Sequence, residues 1–112
     1  MPGLADEQCA TLASGSAGAS PAEVEELKAQ VPGWTVVSDG MDKLERSYTF
    51  ESFADALAFT GKVGAIAEEQ GHHPQLTTEW GRTTVRWWTH AAGGLHRNDF
   101  IMAAKTDALA QA

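Results

Sequence analysis

Apolar residues recur at helical spacing in three stretches of the chain, and signals at the ends of each stretch mark its limits. The first stretch begins at Ser20-Pro21, because serine caps helices well and proline fits the first helical position, and Glu23 is placed to close a capping box. Pro32-Gly33 ends it. The second stretch runs from Ser52 to Gly71 and the third from about His96 to Leu109. The pattern therefore predicts three helices.

Shorter stretches that alternate between apolar and polar residues predict four strands in two hairpins. The first hairpin joins residues 34–37 to 44–50 through the turn at Asp39-Gly40. The second joins 76–79 to 83–89. The predicted order of elements is α-β-β-α-β-β-α.

This order predicts a single α+β domain over residues 20–112, with a four-stranded antiparallel sheet and the helices packed on one face of it. Residues 1–19 are mostly small and polar. Such a segment gains little from burial to offset the entropy lost on ordering, so we expect a mobile N-terminal arm.

The sequence predicts which face is buried on two of the elements. On the last strand, Val85 and Trp87 are predicted to point into the core, and Trp88 to point outward, where a subunit contact can form. The second helix is predicted to bury one face, formed by Phe53, Ala56, Leu57, Thr60, Val63, Gly64 and Ala67.

The composition is that of a soluble protein, and it argues against two classes of partner. The 112 residues include 8 Lys and Arg against 15 Asp and Glu, a formal charge of −7, so binding to a nucleic-acid polyanion is not expected. No apolar run approaches the roughly 18–20 residues that span a bilayer, and no signal peptide is expected. Cys9 is the only cysteine, which fits a reducing compartment. We expect a cytoplasmic protein that contacts no membrane.

Histidines and acids gather between residues 68 and 99. Imidazole titrates near neutrality, so such a cluster predicts proton transfer. His72 and His73 would point about 100° apart on a helix, which predicts different tasks for them. If the second hairpin forms, His90 at its end lies near both. Zinc bound by the three histidines and Glu68 is the alternative, but adjacent histidines lack the usual gap between ligands, so no metal is expected.

One spacing pattern runs through this cluster. It reads as an acid, three positions, His-His-Pro, five positions, an aromatic, nine positions, His, eight positions and Asp. The residues that match it are Glu68, His72-His73-Pro74, Trp80, His90 and Asp99. This pattern resembles that of the pterin-4a-carbinolamine dehydratases. Pro32-Gly33-Trp34 and Gly93-Gly94-Leu95 also resemble segments of that family, and the whole resemblance covers residues 20–110. His96 departs from the resemblance, because family members often cap the last helix with Ser or Thr, and a weaker cap is expected.

The resemblance implies that the chain removes water from 4a-hydroxytetrahydropterin to give quinonoid dihydropterin, without a cofactor. It makes His72 and His90 the acid and base, and His73 mainly a substrate-binding group. Four further substrate-binding residues are implied: Glu68, which orients an imidazole or binds the ring; Trp34, as an apolar wall over the ring; Pro74; and Asp99, which fixes the His90 loop.

The resemblance also implies partners. We expect a homodimer or homotetramer, with an aromatic amino acid hydroxylase or Rubisco as a candidate protein partner. The alternative function is a non-catalytic protein-binding module of the same fold, of the Rubisco-assembly or transcription-factor-dimerisation type.

Overall fold

The chain adopts the predicted order of helices and strands. The computed structural model describes residues 3–12 and 15–111. The elements are α1 (Pro21–Lys28), β1 (Thr35–Asp39), β2 (Met41–Thr49), α2 (Phe53–Gln70), β3 (Gln75–Glu79), β4 (Arg82–Trp87) and α3 (Arg97–Gln111). Single 3₁₀ turns lie at Leu4–Asp6 and His90–Ala92. The predicted α+β class and the order α-β-β-α-β-β-α are confirmed.

The helix ends follow from short-range hydrogen bonds. The Ser20 hydroxyl accepts from the Glu23 backbone N–H, and the Glu23 carboxylate accepts from the Ser20 N–H, so the predicted capping box forms. These bonds from Ser20 lower the pKa of Glu23. The Ser52 hydroxyl caps α2 by accepting from the Asp55 N–H.

Among the described residues, no helix is long and apolar enough to span a bilayer.

The sheet order β1-β2-β4-β3 puts β4 between two antiparallel neighbours. The register pairs Gln75 of β3 with Arg86 of β4, and Leu44 of β2 with Trp87 of β4. The residues just before β3 therefore lie beside those just after β4. This confirms the second hairpin and brings residues 72–74 to the same end of the sheet as residues 88–90.

The core lies between the sheet and the helices on its inner face. Val85 and Trp87 of β4 are fully buried there, as predicted, and Leu44 of β2 lies beside them. Phe100 and Met102 of α3 are also fully buried. Because the inner face of β4 is buried in this core, the segment that follows it, residues 88–90, starts from a fixed position.

One predicted helix face is partly wrong. The buried stripe of α2 is Ala56, Phe59, Val63 and Ala67, whereas Phe53 and Leu57 are 44% and 52% exposed. Both stripes have helical spacing, so apolar periodicity alone does not decide between them. Packing selects the stripe that carries Phe59, whose ring lies 4.7 Å from that of Tyr48.

The described part of the predicted mobile arm packs along α3. Leu4 is 4% exposed and belongs to the core, the Lys105 ammonium donates to the Ala5 carbonyl at 2.8 Å, and Arg97 pairs with Glu7 at 2.7 Å. The composition of the segment misses these anchors, because most of them are supplied by α3.

Candidate active site

The three histidines that the sequence suggests as catalytic line one cavity of about 710 Å³. The cavity lies where the end of α2, the end of β4 and the start of α3 meet. Its lining also includes Trp88, Asn98 and the N-terminal residues 10–12. His72, His73 and His90 therefore share one hollow, as the second hairpin predicts.

Gly71 and Pro74 give the two adjacent histidines different directions. Gly71 ends α2 in the left-handed conformation (φ 64°), which favours glycine, and the His72 N–H bonds to the Ala67 carbonyl. Pro74 favours an extended backbone at His73. Both histidines thus lie beyond the end of α2, whereas the predicted angle of about 100° between them assumed that they are helical. In an extended segment neighbouring side chains point to opposite sides, so the two imidazoles diverge.

His72 points inward. Its side chain is 13% exposed, its Nε2 lies 2.6 Å from Asp99 Oδ1, and its ring stacks on that of Trp87 at 5.7 Å. A carboxylate only accepts hydrogen bonds, so Nε2 carries the proton in this pair. In the neutral imidazole the lone pair is then on Nδ1, and in that form this nitrogen can act as a base.

Asp99 is fully buried and holds three parts of the site together. Its Oδ1 accepts from His72, and its Oδ2 accepts from the Thr89 hydroxyl at 2.8 Å and from the His96 backbone N–H at 2.9 Å. It does not line the cavity. Asp99 contacts His72 and reaches the His90 loop through Thr89, in line with the loop-fixing role implied for it, while its place among the substrate-binding residues stays a prediction.

His96 caps α3, where a weaker cap than Ser or Thr is predicted. Its Nδ1 accepts from the Asn98 backbone N–H at 3.0 Å, while its own N–H donates to Asp99. This resembles a capping box, with an imidazole in place of a hydroxyl and with the N2 rather than the N3 N–H as donor to the cap. His96 thus forms a cap, because an unprotonated ring nitrogen accepts as a serine oxygen does.

His90 begins the 3₁₀ turn that follows β4, and it is exposed. Two backbone hydrogen bonds between Thr89 and Gly94 close the loop that carries it, at 2.8 and 3.2 Å. Gly93 inside the loop has φ 70°. A short, closed loop therefore fixes His90 at the mouth of the cavity.

His73 and Glu68 form a pair at the rim. His73 Nε2 lies 2.5 Å from Glu68 Oε1, and the two side chains are 62% and 79% exposed. Of the two roles predicted for Glu68, orienting an imidazole and binding the ring, this contact is of the first kind. Glu68 itself does not line the cavity.

The tryptophan predicted as an apolar wall is not among the residues that line the cavity. Trp34 is 1% exposed, and its Nε1 donates to Asp107 at 3.1 Å, away from the cavity. Pro74 is half-buried outside the lining, and Trp80 is 74% exposed at the β3–β4 turn. Trp34 and Pro74 therefore do not line this cavity, and their implied roles in substrate binding stay predictions.

Trp88 is the tryptophan that lines the cavity, whereas its outward direction on the strand predicted a subunit contact. The Lys43 ammonium lies 4.1 Å from the centre of its ring, a cation–π contact that occupies one face of the indole. A signal was present in the sequence: Trp88 precedes His90 by two positions, and such residues share one side of an extended chain.

In the described part of the chain, the side chains that could bind a metal do not gather around one point. Within residues 3–12 and 15–111, no group of three or more His, Cys, Asp and Glu side chains is arranged to hold a metal. His72 and His73 are each paired with a carboxylate on a different side of the chain.

Comparison with known proteins decides the family. A family model described as pterin 4 alpha carbinolamine dehydratase matches residues 17–109. The chain belongs to the pterin 4a-carbinolamine dehydratase family. The match spans the whole predicted domain except its last residues, and it includes every residue of the spacing pattern.

Bacterial relatives within the pterin 4a-carbinolamine dehydratase family match most of the chain. A protein of Chlorobium limicola is 54% identical over 102 residues, which cover 90% of each chain. One of Syntrophotalea carbinolica is 49% identical over 110 residues, 97% of this chain and 98% of that one. Both are provisionally named pterin-4-alpha-carbinolamine dehydratases.

Two solved structures share the fold. The Brucella melitensis structure titled transcriptional coactivator/pterin dehydratase has a TM-score of 0.76 and 31% identity, and covers 83% of this chain and 98% of its own. The structure of a pterin dehydratase-like protein described as a Rubisco assembly factor in the alpha-carboxysome has a TM-score of 0.58 and 26% identity, with 70% and 89% covered.

Proposed function

We propose that this chain is a 4a-hydroxytetrahydropterin dehydratase, a hydro-lyase that forms quinonoid dihydropterin in pterin recycling. The observation that carries the proposal is the pairing of His72 with buried Asp99 beside a cavity that His90 also lines. Membership of the family supports the same activity.

The proposed reaction moves two protons. His72, with Nε2–H held by Asp99, takes the N5 proton of the pterin on Nδ1. His90 gives a proton to the 4a-hydroxyl as the C4a–O bond breaks, so the hydroxyl leaves as water. The electron pair of the N5–H bond forms the new C=N bond, and no electrons are gained or lost. General acid and base groups of this kind each contribute about 10²–10⁴-fold.

The remaining lining groups are proposed to bind the ring. Trp88 offers a flat apolar face, since Lys43 occupies the other one. His73, oriented by Glu68 at the rim, is proposed to contact the substrate without proton transfer. No cofactor enters this scheme.

The test is a coupled assay in which a hydroxylase forms the 4a-carbinolamine in situ. The wild-type protein is expected to speed dehydration above the spontaneous rate. His72→Ala and His90→Ala should each lower kcat about 10²–10⁴-fold, whereas His73→Ala should chiefly raise KM. Thr35→Ala, on the exposed edge of β1, is the control. If all three histidine variants match the wild type, the proposal is refuted.

A protein-binding module is the second candidate function. The likeness to the Rubisco assembly factor favours it. A His72→Ala/His90→Ala double variant separates the two functions. If this variant still co-purifies with Rubisco, or with an aromatic amino acid hydroxylase, binding does not depend on catalysis. If neither partner is retained by the wild type, the binding function is refuted.

We also propose a homodimer or homotetramer. Phe53, Leu57 and Trp80 are large apolar side chains exposed to solvent in the isolated chain, and β1 and β3 are edge strands. Sedimentation velocity of the wild type and of a Leu57→Glu variant tests this. Dissociation of the variant supports the proposal, and a monomeric wild type refutes it.

A further inference from the structure

We propose that the N-terminal segment of residues 4–12, here called the strap, is a wall of the pterin site that determines how tightly the substrate is held. This inference rests on the proposed function, because it assigns the strap a part in the same cavity. It concerns a segment whose composition predicts no role.

The strap reaches the cavity at its C-terminal end. Ala10, Thr11 and Leu12 line the same hollow as His72 and His90. These three residues lie near the N-terminus, far in sequence from the histidines, and close a side of the cavity that the sheet and helices leave open. A ligand in the hollow would therefore contact them.

A buried side chain clamps this end of the strap. Asn98 is 3% exposed; its Oδ1 accepts from the Ala10 N–H at 3.0 Å, and its Nδ2 donates to the Ala10 carbonyl at 2.9 Å. The amide of Asn98 thus pairs with both backbone polar groups of Ala10, as a neighbouring strand would. The Cys9 N–H adds a bond to Gln70 Oε1 at 2.9 Å.

The clamp and the catalytic pair share one helical turn. Asn98 holds the strap, and its neighbour Asp99 holds His72. The first turn of α3 therefore sets both the imidazole and the wall. The opposite end of the strap is anchored separately, by buried Leu4 and by the ion pair of Glu7 with Arg97.

A clamped wall has a definite effect on binding. A segment that is already ordered loses less entropy when the ligand arrives, so the affinity is higher. The strap carries no group that moves a proton in the proposed reaction. Loosening it should therefore raise KM more than it lowers kcat.

Cys9 offers a readout of the strap that does not depend on catalysis. It is the only cysteine of the chain, it is half-buried, and its Sγ lies 3.8 Å from the Asn98 carbonyl. Burial raises the pKa of its thiol to about 11, so the thiol is slow to react while the strap is closed. Labelling by a neutral thiol reagent then measures how often the strap opens.

The experiment uses two variants of the full chain and their combination. Asn98→Ala removes both hydrogen bonds to Ala10, and Ala10→Pro removes the N–H that donates to Asn98 Oδ1. Each is expected to raise KM about 5–20-fold, keep kcat within about threefold and speed Cys9 labelling about fivefold or more. The double variant should be no worse than the poorer single one, since both break one clamp.

Thr35→Ala is the control, because Thr35 is exposed on the edge strand β1 and lies outside both the strap and the cavity. This variant should leave KM and Cys9 labelling at wild-type values. Circular dichroism on all variants excludes unfolding as the cause of any loss.

Two outcomes separate this inference from the proposed function. If the wild type dehydrates the carbinolamine but neither clamp variant changes KM or labelling, the strap inference alone is overturned. If the wild type does not dehydrate, the proposed function is overturned. In that case 7,8-dihydrobiopterin, used as a ligand without the 4a-hydroxyl, decides: protection of Cys9 from labelling supports a strap over a pterin site, and absence of protection overturns it.

Discussion

Replacing Asp99 by Asn tests the link between the buried carboxylate and the imidazole. Asn has nearly the same shape, but only one of its two terminal atoms accepts hydrogen bonds. The Thr89 hydroxyl and the His96 backbone N–H both donate to Oδ2, and a backbone N–H cannot turn round. The amide oxygen should therefore face these two donors, and the NH₂ group should face His72.

This orientation reverses the tautomer of His72. Its Nε2 must then accept from the amide, so the proton moves to Nδ1 and the proposed base is lost. The same substitution beside the catalytic histidine of serine proteases lowers kcat about 10⁴-fold through the wrong tautomer. We expect kcat to fall about 10²–10⁴-fold here. Three hydrogen bonds also lose their charge, so the free energy of unfolding should fall by about 2–4 kcal/mol.

Asp107→Asn is the matched control for this measurement. Asp107 lies on the same helix and accepts from Trp34, Arg46 and Tyr48, away from the histidines. Tyr48, which burial and Asp107 give a raised pKa, stays a neutral donor. The control should lose stability to a similar extent but keep kcat within about threefold. The coupled assay and urea unfolding measure both quantities. A kcat for Asp99→Asn equal to that of the control would refute the reasoning.

Three further predictions concern stability. Gly71→Ala should cost about 1–2 kcal/mol, since φ is 64° and an added Cβ meets no atom within 4 Å, so a larger loss in urea unfolding would indicate a clash. Phe59→Ala, at a 4%-exposed core position, should cost about 3–5 kcal/mol, and Phe53→Ala, at a 44%-exposed one, less than half of that; equal losses would contradict the observed stripe of α2. The hydrogen bond from Arg97 lowers the pKa of Glu7 from 4.5. The stability that this bond contributes is therefore present above pH 4.5 and is lost as the pH falls through the lowered pKa of Glu7. Because the ion pair is exposed, Glu7→Gln should cost under about 1 kcal/mol at pH 7 and nothing at a pH well below the lowered pKa, and a cost independent of pH would contradict this.

The sequence predicts the fold well because the signals are local. Ser20, Ser52 and Gly71 mark helix ends through bonds to residues three or four positions away. The second hairpin follows from two short alternating strands, and it places His90 beside His72 without further information.

The rest of the site depends on contacts between distant residues. His72 and Asp99 are 27 positions apart, and their pairing is set by how α3 docks. Trp34 and Trp88 are both apolar and both follow a turn or strand, so only packing shows which one reaches the cavity. The strap is invisible in the sequence because its clamp, Asn98, lies 88 positions away.

The most direct test of the central claim is the decay of 4a-hydroxytetrahydropterin, followed by absorbance near neutral pH with and without the protein. We predict that the wild type speeds formation of quinonoid dihydropterin and that, with a His72→Ala/His90→Ala variant of native circular dichroism, the carbinolamine decays at its rate in buffer alone. A double variant that still speeds the decay as the wild type does would contradict it.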